Sequence, residues 1–349
     1  MTTGYTCEHY FDGETMHGLT RVYRSAPGGP YVSEPYSGPG IPDFYLLTPG
    51  LTDLQVNGYG AIDVATASVE ELYALDAELH DLGVTAWLAT IITADLTAMR
   101  ASMDTVDEAV RSGRAPGLRG IHLEGPFLGR APGAHPENKI IPVDLAWLAA
   151  LPDSVRLVTL APEQAGAVEA IKLLTARGIR VSLGHSQPTA AEYERAVRAG
   201  ATMVTHLFNG MSGISHRAEP GLALLALVDP RVTVGLIADS THVNAPAVQL
   251  AFKTSAVYLV SDSMAWDSPA ALRQGLTRGV DRAVRLADGR LTGSGMALSE
   301  CVRTAAVECG IDLPAVLRAA TGIPAQLMGW PVPMSLVAWD KGLKVKIKY

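Results

Sequence analysis

The sequence predicts an α/β chain folded as a (β/α)8 TIM-like barrel, and three observations carry that prediction. From Thr48 onward, short β-branched runs alternate with amphipathic helical stretches, the pattern of βα units around a parallel sheet. Eight such runs can be counted, and about 250 residues is the usual length of an eight-unit barrel. Most of the runs end on a polar or charged residue, where barrel enzymes carry their chemistry. A doubly wound open sheet is the alternative, but no good GxGxxG follows the first run.

The expected strands are LTDLQV (51–56), VTAWLAT (84–90), LRGIHLE (118–124), VRLVTLA (155–161), IRVSLGH (179–185), ATMVTH (201–206), VTVGLIAD (232–239) and AVYLVSD (256–262). Helices fit between them. In 68–82, Val69, Leu72, Leu75, Leu79 and Leu82 recur three or four apart on one face. The barrel is assigned to residues 49–330. Residues 1–48 are rich in Gly, Pro, Ser and Tyr and read as a loop or strapped arm, forming part of a small, reduced β-domain with the strands of 331–349. Two late strand-like pieces, AVRLADGRLTG and SLVAWDKGLKVKIKY, can pair with each other or with that arm, and 296–328 reads as helices.

Polar residues at the strand ends set the chemistry. The first strand ends at Gln55 and Asn57, the third at Glu124, the fifth at His185 and the sixth at His206. The seventh is followed by Asp239 and His242, and the eighth ends at Asp262. A lone residue of this kind is usually a hydrogen-bonded structural group, but a set in register is not explained that way. One carboxylate and two imidazoles from three strands make a metal shell with a position left for water. The set suits Zn2+, with Fe2+ or another divalent ion open. Asp262, across the mouth, is placed to accept a proton from water acidified by the metal. His122 alternates with Glu124 and reads as a barrel-interior residue. Asp239 reads as a backbone partner that orients the loop of His242.

Composition narrows the partners. The net charge is −7 with no basic block, which argues against nucleic acid and anionic membranes. No apolar run approaches bilayer length. Cys7, Cys301 and Cys309 form no CxxC pair, which fits a reducing cytoplasm, and the polar N-terminus is unlike a secretory signal.

PGLTDLQVNGYG, HLEGPFLGRAPGAHP, LGHSQPT, THLFNGMSGISHRAEPG, ADSTHV and LVSDSMA follow one another at barrel spacing. Together they resemble the N-acetylglucosamine-6-phosphate deacetylases of the amidohydrolase superfamily over about residues 48–330. The resemblance implies metal ligation by Glu124, His185 and His206, with Asp262 as general base and acid. It implies substrate contacts from His135, His242, Asn209, the backbone at Gly210, and Arg217, the last three holding a sugar phosphate. Many amidohydrolases carry HxH at the end of the first strand for a second metal. Gln55-Val56-Asn57 stands there instead, which implies one divalent ion per subunit. The Arg217 segment of such relatives can reach a neighbouring subunit, so a homodimer is expected.

Two departures fall on substrate contacts. HRAEPG carries one residue more than the family's HREPG, and Asp239-Ser240-Thr241-His242 replaces DG-x-H. The expected reaction is hydrolysis of N-acetylglucosamine 6-phosphate to glucosamine 6-phosphate and acetate. The alternatives are an N-acetyl amino sugar that is unphosphorylated or belongs to specialised metabolism, and a sugar-binding barrel without turnover.

Overall fold

The computed structural model describes residues 4–26 and 29–348. Residues 1–3, 27–28 and 349, which belong to the expected terminal segments, lie outside the described residues. Eight parallel strands form the central sheet: β1 (Leu51–Val56), β2 (Val84–Ile92), β3 (Leu118–Glu124), β4 (Val155–Leu160), β5 (Arg180–Leu183), β6 (Met203–Val204), β7 (Thr233–Ile237) and β8 (Ala256–Val260). They lie side by side in chain order from β1 to β8. Such strands are covered on both faces, so they read as continuous apolar runs, and every residue of β1 is buried.

The ring closes between β1 and β8 with few ladder bonds. Val56 bridges Ser263, and Asn57 N donates to Ser263 O at 2.9 Å. Ser261 N donates to the Asp53 carboxylate at 3.2 Å, and Ser261 Oγ to Gln55 O at 3.4 Å. Helix α1 (Val69–Asp81) shows how the outer layer is set. Ser68 and Glu71 form a capping box, Leu72, Leu75 and Leu79 are buried, and Gly83 turns the chain with a φ of 87°.

β5 and β6 are shorter than the expected 179–185 and 201–206. Their last residues leave the ladder because His185 and His206 adopt left-handed backbone, with φ of 49° and 29°. The two termini build a small β-sheet domain, as expected, but the N-terminal segment enters it as strands and not as a loop: Gly4–Phe11, Met16–His17, Thr20–Arg24, Tyr31–Pro35 and Phe44–Pro49 belong to a seven-stranded sheet that also takes in Leu336–Trp339 and Val345–Lys348. Cys7, Tyr10, Val22, Leu47, Leu336 and Ala338 form its apolar core, and the Gly/Pro clusters mark turns between strands.

The two late strand-like pieces fold back separately. Ala283–Arg285 and Leu291–Ser294 pair with each other and with Thr277–Arg278, packing on Met264 and Trp266 after β8. Only the second piece joins the terminal sheet. No described helix is long and apolar enough to cross a membrane.

Candidate active site and metal centre

Three site residues share a backbone device. His185, His206 and Asp262 each stand two residues beyond the end of β5, β6 and β8, and each has positive φ (49°, 29° and 48°). Non-glycine residues avoid this region at a cost of about 1–3 kcal/mol each. The turn swings each side chain off the strand and into the barrel mouth. Glu124 reaches the mouth from the last position of β3. Gly125 follows it with a φ of 89°, and a Cβ there would lie 2.1 Å from Thr93 Oγ1, so only glycine fits. That Thr93 hydroxyl in turn donates to Glu124 O at 3.2 Å.

The donor atoms of Glu124, His185 and His206 converge. Glu124 Oε1 is 2.8 Å from His206 Nε2 and 3.0 Å from His185 Nε2, and the two nitrogens are 3.1 Å apart. All three residues are at most 5% exposed. Two ring nitrogens facing each other at this distance cannot both carry a proton. Ligands 2.0–2.1 Å from a tetrahedral Zn2+ stand about 3.3 Å from one another, close to the spacing seen. His185 Nδ1 faces Ala131 O at 3.2 Å, which puts that ring's proton on Nδ1 and leaves Nε2 free to ligate. The donor set therefore fits one divalent ion.

The positions of Gln55 and Asn57 are filled by amides acting as donors. Gln55 Nε2 donates to Glu124 Oε1 at 3.1 Å and to Asp262 Oδ1 at 3.0 Å, and Asn57 Nδ2 donates to Asp262 Oδ1 at 2.8 Å. Opposite them, Asp239 Oδ1 accepts from the backbone N–H groups of Thr241 and His242 at 2.9 and 2.8 Å. Its Oδ2 lies 2.6 Å from His242 Nδ1. That bond fixes the His242 ring with Nε2 toward the cavity.

Electrostatics separates the two carboxylates. Burial opposes the charge on Glu124, but the His185 and His206 rings outweigh it and hold that carboxyl well below the usual range. His206 is disfavoured as a cation by burial, yet the adjoining Glu124 raises it to about 9. Asp262 is pushed up to about 7, chiefly by burial and then by the charge of Glu124. At Asp239 burial is again outweighed, here by the His242 ring and the backbone donors, and its carboxyl sits below its ordinary value. One carboxylate is thus kept ionised for ligation, while another is poised to exchange a proton near neutrality.

A cavity of about 220 Å3 opens over this cluster and is lined by Asn57, Glu124, His135, His185, His206, Asn209, Gly210, His242 and Asp262. Asn209 Nδ2 is 3.4 Å from both His206 O and Leu207 O. Gly210 has a φ of 54°, and a Cβ on it would press to 2.7 Å of His185 Nδ1. Arg217 is the exception: it is exposed on its loop, does not line the cavity, and its backbone N bonds Ser215 Oγ at 3.2 Å. His122 is buried below the site, with Nε2 2.8 Å from Thr159 Oγ1. A hydroxyl chain runs on from Thr159 through Thr205 to Ser182.

Sequence reasoning passed over two contributors. Glu163 accepts from the backbone of Arg130 at 3.1 Å and of Gln187 at 2.8 Å, and from the Ser186 hydroxyl. It ties the loop that carries His135 to the turn after His185. Its signal was a carboxylate three residues past the end of β4. The other contributor is the strand pair 283–294, which places Leu286, Leu291 and Thr292 on the cavity wall beside Met264 and Leu276.

No protein-family model matches the chain. It is 35% identical over 303 residues to the N-acetylgalactosamine-6-phosphate deacetylase of Shewanella sp. (strain ANA-3), covering 82% of this chain and 75% of that one. It is 36% identical over 310 residues to the human N-acetylglucosamine-6-phosphate deacetylase, covering 81% and 75%. Among solved structures, the Mycobacterium smegmatis N-acetyl-D-glucosamine-6-phosphate deacetylase D267A mutant in complex with N-acetyl-D-glucosamine-6-phosphate superposes with a TM-score of 0.88. It is 26% identical, over 100% of this chain and 97% of that one. The Thermotoga maritima N-acetylglucosamine-6-phosphate deacetylase superposes with a TM-score of 0.87 at 25% identity, over 99% and 98%. With the barrel, the converging donors and these relatives in agreement, the chain belongs to the N-acetylglucosamine-6-phosphate deacetylase family, metal-dependent hydrolases of the amidohydrolase superfamily.

Proposed function

We propose that this protein hydrolyses the N-acetyl group of N-acetylglucosamine 6-phosphate, giving glucosamine 6-phosphate and acetate. The observation that carries the reading is the convergence of Glu124, His185 and His206 within 3.1 Å of one another, with Asp262 linked to them through Gln55. These three side chains would hold one divalent ion, Zn2+ by ligand preference with Fe2+ next, and it would supply Lewis acidity to an amide carbonyl and to water.

The chain's own groups then have distinct tasks. Asp262 takes a proton from the attacking water on its carboxylate and returns it to the departing nitrogen. His242, held through Nδ1 by Asp239, presents Nε2 to the carbonyl oxygen as negative charge develops there. Gln55 and Asn57 keep Asp262 aimed, in the place where a second metal would otherwise sit. His135 contacts the sugar, and Asn209 and the Gly210 backbone hold its phosphate. Arg217, exposed in one protomer, reaches the phosphate of a neighbouring subunit in a homodimer. A cytoplasmic location fits the three buried free cysteines.

One observation favours a second reading, an N-acetyl amino sugar without phosphate: the lining of the cavity contains neither Lys nor Arg. A panel separates the readings. N-acetylglucosamine, its 6-phosphate and the galacto epimer of that phosphate are assayed for free amine, with Zn2+ or Fe2+ supplied and withheld. Turnover of the 6-phosphates at least tenfold above the free sugar supports the first reading. The reverse order supports the second, and no release of amine from any of them under either metal overturns both.

A further inference from the structure

Glu163 is half-buried and stands outside the lining of the cavity. Its hydrogen-bond partners are two backbone N–H groups and a hydroxyl, none of them a cation. Oε1 accepts from Arg130 N at 3.1 Å and from Gln187 N at 2.8 Å, and Oε2 accepts from Ser186 Oγ. Gly129 is glycine on its account, since a Cβ there would fall 2.0 Å from Oε1. Bonds from backbone N–H groups to a carboxylate are among the strong ones, so this junction is firm. Three segments meet at it, and each carries a residue of the site. Arg130 opens the loop to His135, and the next carbonyl, Ala131 O, faces His185 Nδ1 at 3.2 Å. Ser186 and Gln187 follow His185 directly, and His185 O accepts from Gly129 N at 2.8 Å. Ser186 N donates to Gly210 O at 3.1 Å, and Ser186 O accepts from Ser212 N at 3.1 Å, which brings in the segment of Asn209 and Gly210.

We propose that Glu163 is a positioning residue for the hydrolysis. A ligating histidine is aimed by the partner of its other ring nitrogen. Here that partner is Ala131 O, one residue from the N–H that Glu163 holds. Glu163 thus fixes Ala131 O against His185 Nδ1, and with it the direction of Nε2. Through Ser186 it also keeps the substrate-facing segments of His135 and of Asn209–Gly210 in register with that ring. Asp262 and His242 follow β8 and β7 and take no part in these bonds. Loss of Glu163 therefore loosens the grip on metal and sugar while the proton-transfer groups stay in place. The proposal rests on the metal-dependent deacetylase reading of the site.

The test compares wild type, Glu163→Ala and Glu163→Gln, each shown to be folded by circular dichroism. Glu163→Asp, too short to span both N–H groups, takes the place of Glu163→Ala if that variant does not fold. Zn2+ affinity is read by chelator competition, and kcat and KM are measured on N-acetylglucosamine 6-phosphate at saturating Zn2+. In Glu163→Ala the Zn2+ dissociation constant should rise about tenfold or more, the effect of losing the outer partner of a ligand. KM should rise about tenfold while kcat stays within about threefold, the mark of lost binding with the chemical step intact. Glu163→Gln keeps a carbonyl oxygen for both N–H groups and should bring both constants back to within about threefold of wild type. Glu163→Ala with both constants within about twofold of wild type would overturn the proposal, whatever its Tm. A Gln variant as impaired as the Ala variant would overturn it too. A wild type that binds Zn2+ but releases no amine would overturn the substrate reading alone, with the affinity measurements still deciding the role of Glu163. A wild type that takes up no Zn2+ would overturn both.

Discussion

The side-chain amide of Gln55 donates to Glu124 Oε1 at 3.1 Å and to Asp262 Oδ1 at 3.0 Å, so one neutral group links the candidate ligand and the candidate base. Two buried carboxylates so placed repel each other, and the shared donor offsets that repulsion. Gln55→Ala removes two hydrogen bonds to charged acceptors, each worth about 1.5–3 kcal/mol. Because the lost bonds favoured the carboxylate form, Asp262 should hold its proton to higher pH. The acid limb of the kcat/KM profile should move upward, with tenfold or greater loss at pH 7 and recovery in alkali. A profile that falls uniformly at all pH values would show that Gln55 does not act through Asp262.

Asp262→Asn should separate binding of metal from turnover. General acid–base groups contribute about 10²–10⁴-fold, and a loss of that size in kcat is expected while metal content stays at one per chain. His185→Ala and His206→Ala should instead lose the metal. Elemental analysis beside initial rates distinguishes the two classes of variant.

Metal uptake should release protons. Without a cation, Glu124 raises His206 to about 9, so at pH 7 that ring carries a proton which a ligand cannot keep. Apparent affinity should therefore rise with pH below about 9, approaching tenfold per unit if this one proton dominates. Titration calorimetry in buffers of different ionisation enthalpy would count the proton, and zero release would contradict the electrostatic picture.

Asp53 offers a stability test. It is fully buried, Oδ2 has no partner, and burial lifts its carboxyl from the ordinary 3.8 to about 6. A raised pKa means that the folded chain binds the proton more tightly than the unfolded chain does. Stability is thus greatest below about pH 4 as far as this group is concerned, and declines as pH rises through 6. The full penalty is about 3 kcal/mol. Asp53→Asn keeps an acceptor for Ser261 N and Gln55 N and should raise Tm at pH 8, with little gain at pH 4. Equal shifts at both values would sink the explanation.

Much of the barrel was legible because parallel strands buried on both faces stand out as short apolar runs. The strand-end residues were legible because a charge at the end of such a run is conspicuous. Strand limits at 185 and 206 were overrun because left-handed backbone at a histidine leaves no mark in composition. The N-terminal strands were missed because their faces are only half-buried and their turns are dense in Gly and Pro, which drowns the alternation. Glu163 was missed because its ties are to backbone N–H groups, which any sequence possesses. The position of Arg217 depends on the path of a loop lengthened by one residue, and no local pattern encodes that path.

The join between β1 and β8 has a consequence of its own. Asp53, Gln55 and Asn57 on one side meet Ser261, Asp262 and Ser263 on the other, so the stitches of the ring are also the mount of the base. Glu124, His185 and His206 hang from β3, β5 and β6, away from that seam. A barrel beginning to unzip there would misdirect its proton carrier while still gripping its ion. Damaged or heated enzyme should therefore fall silent before it gives up its metal.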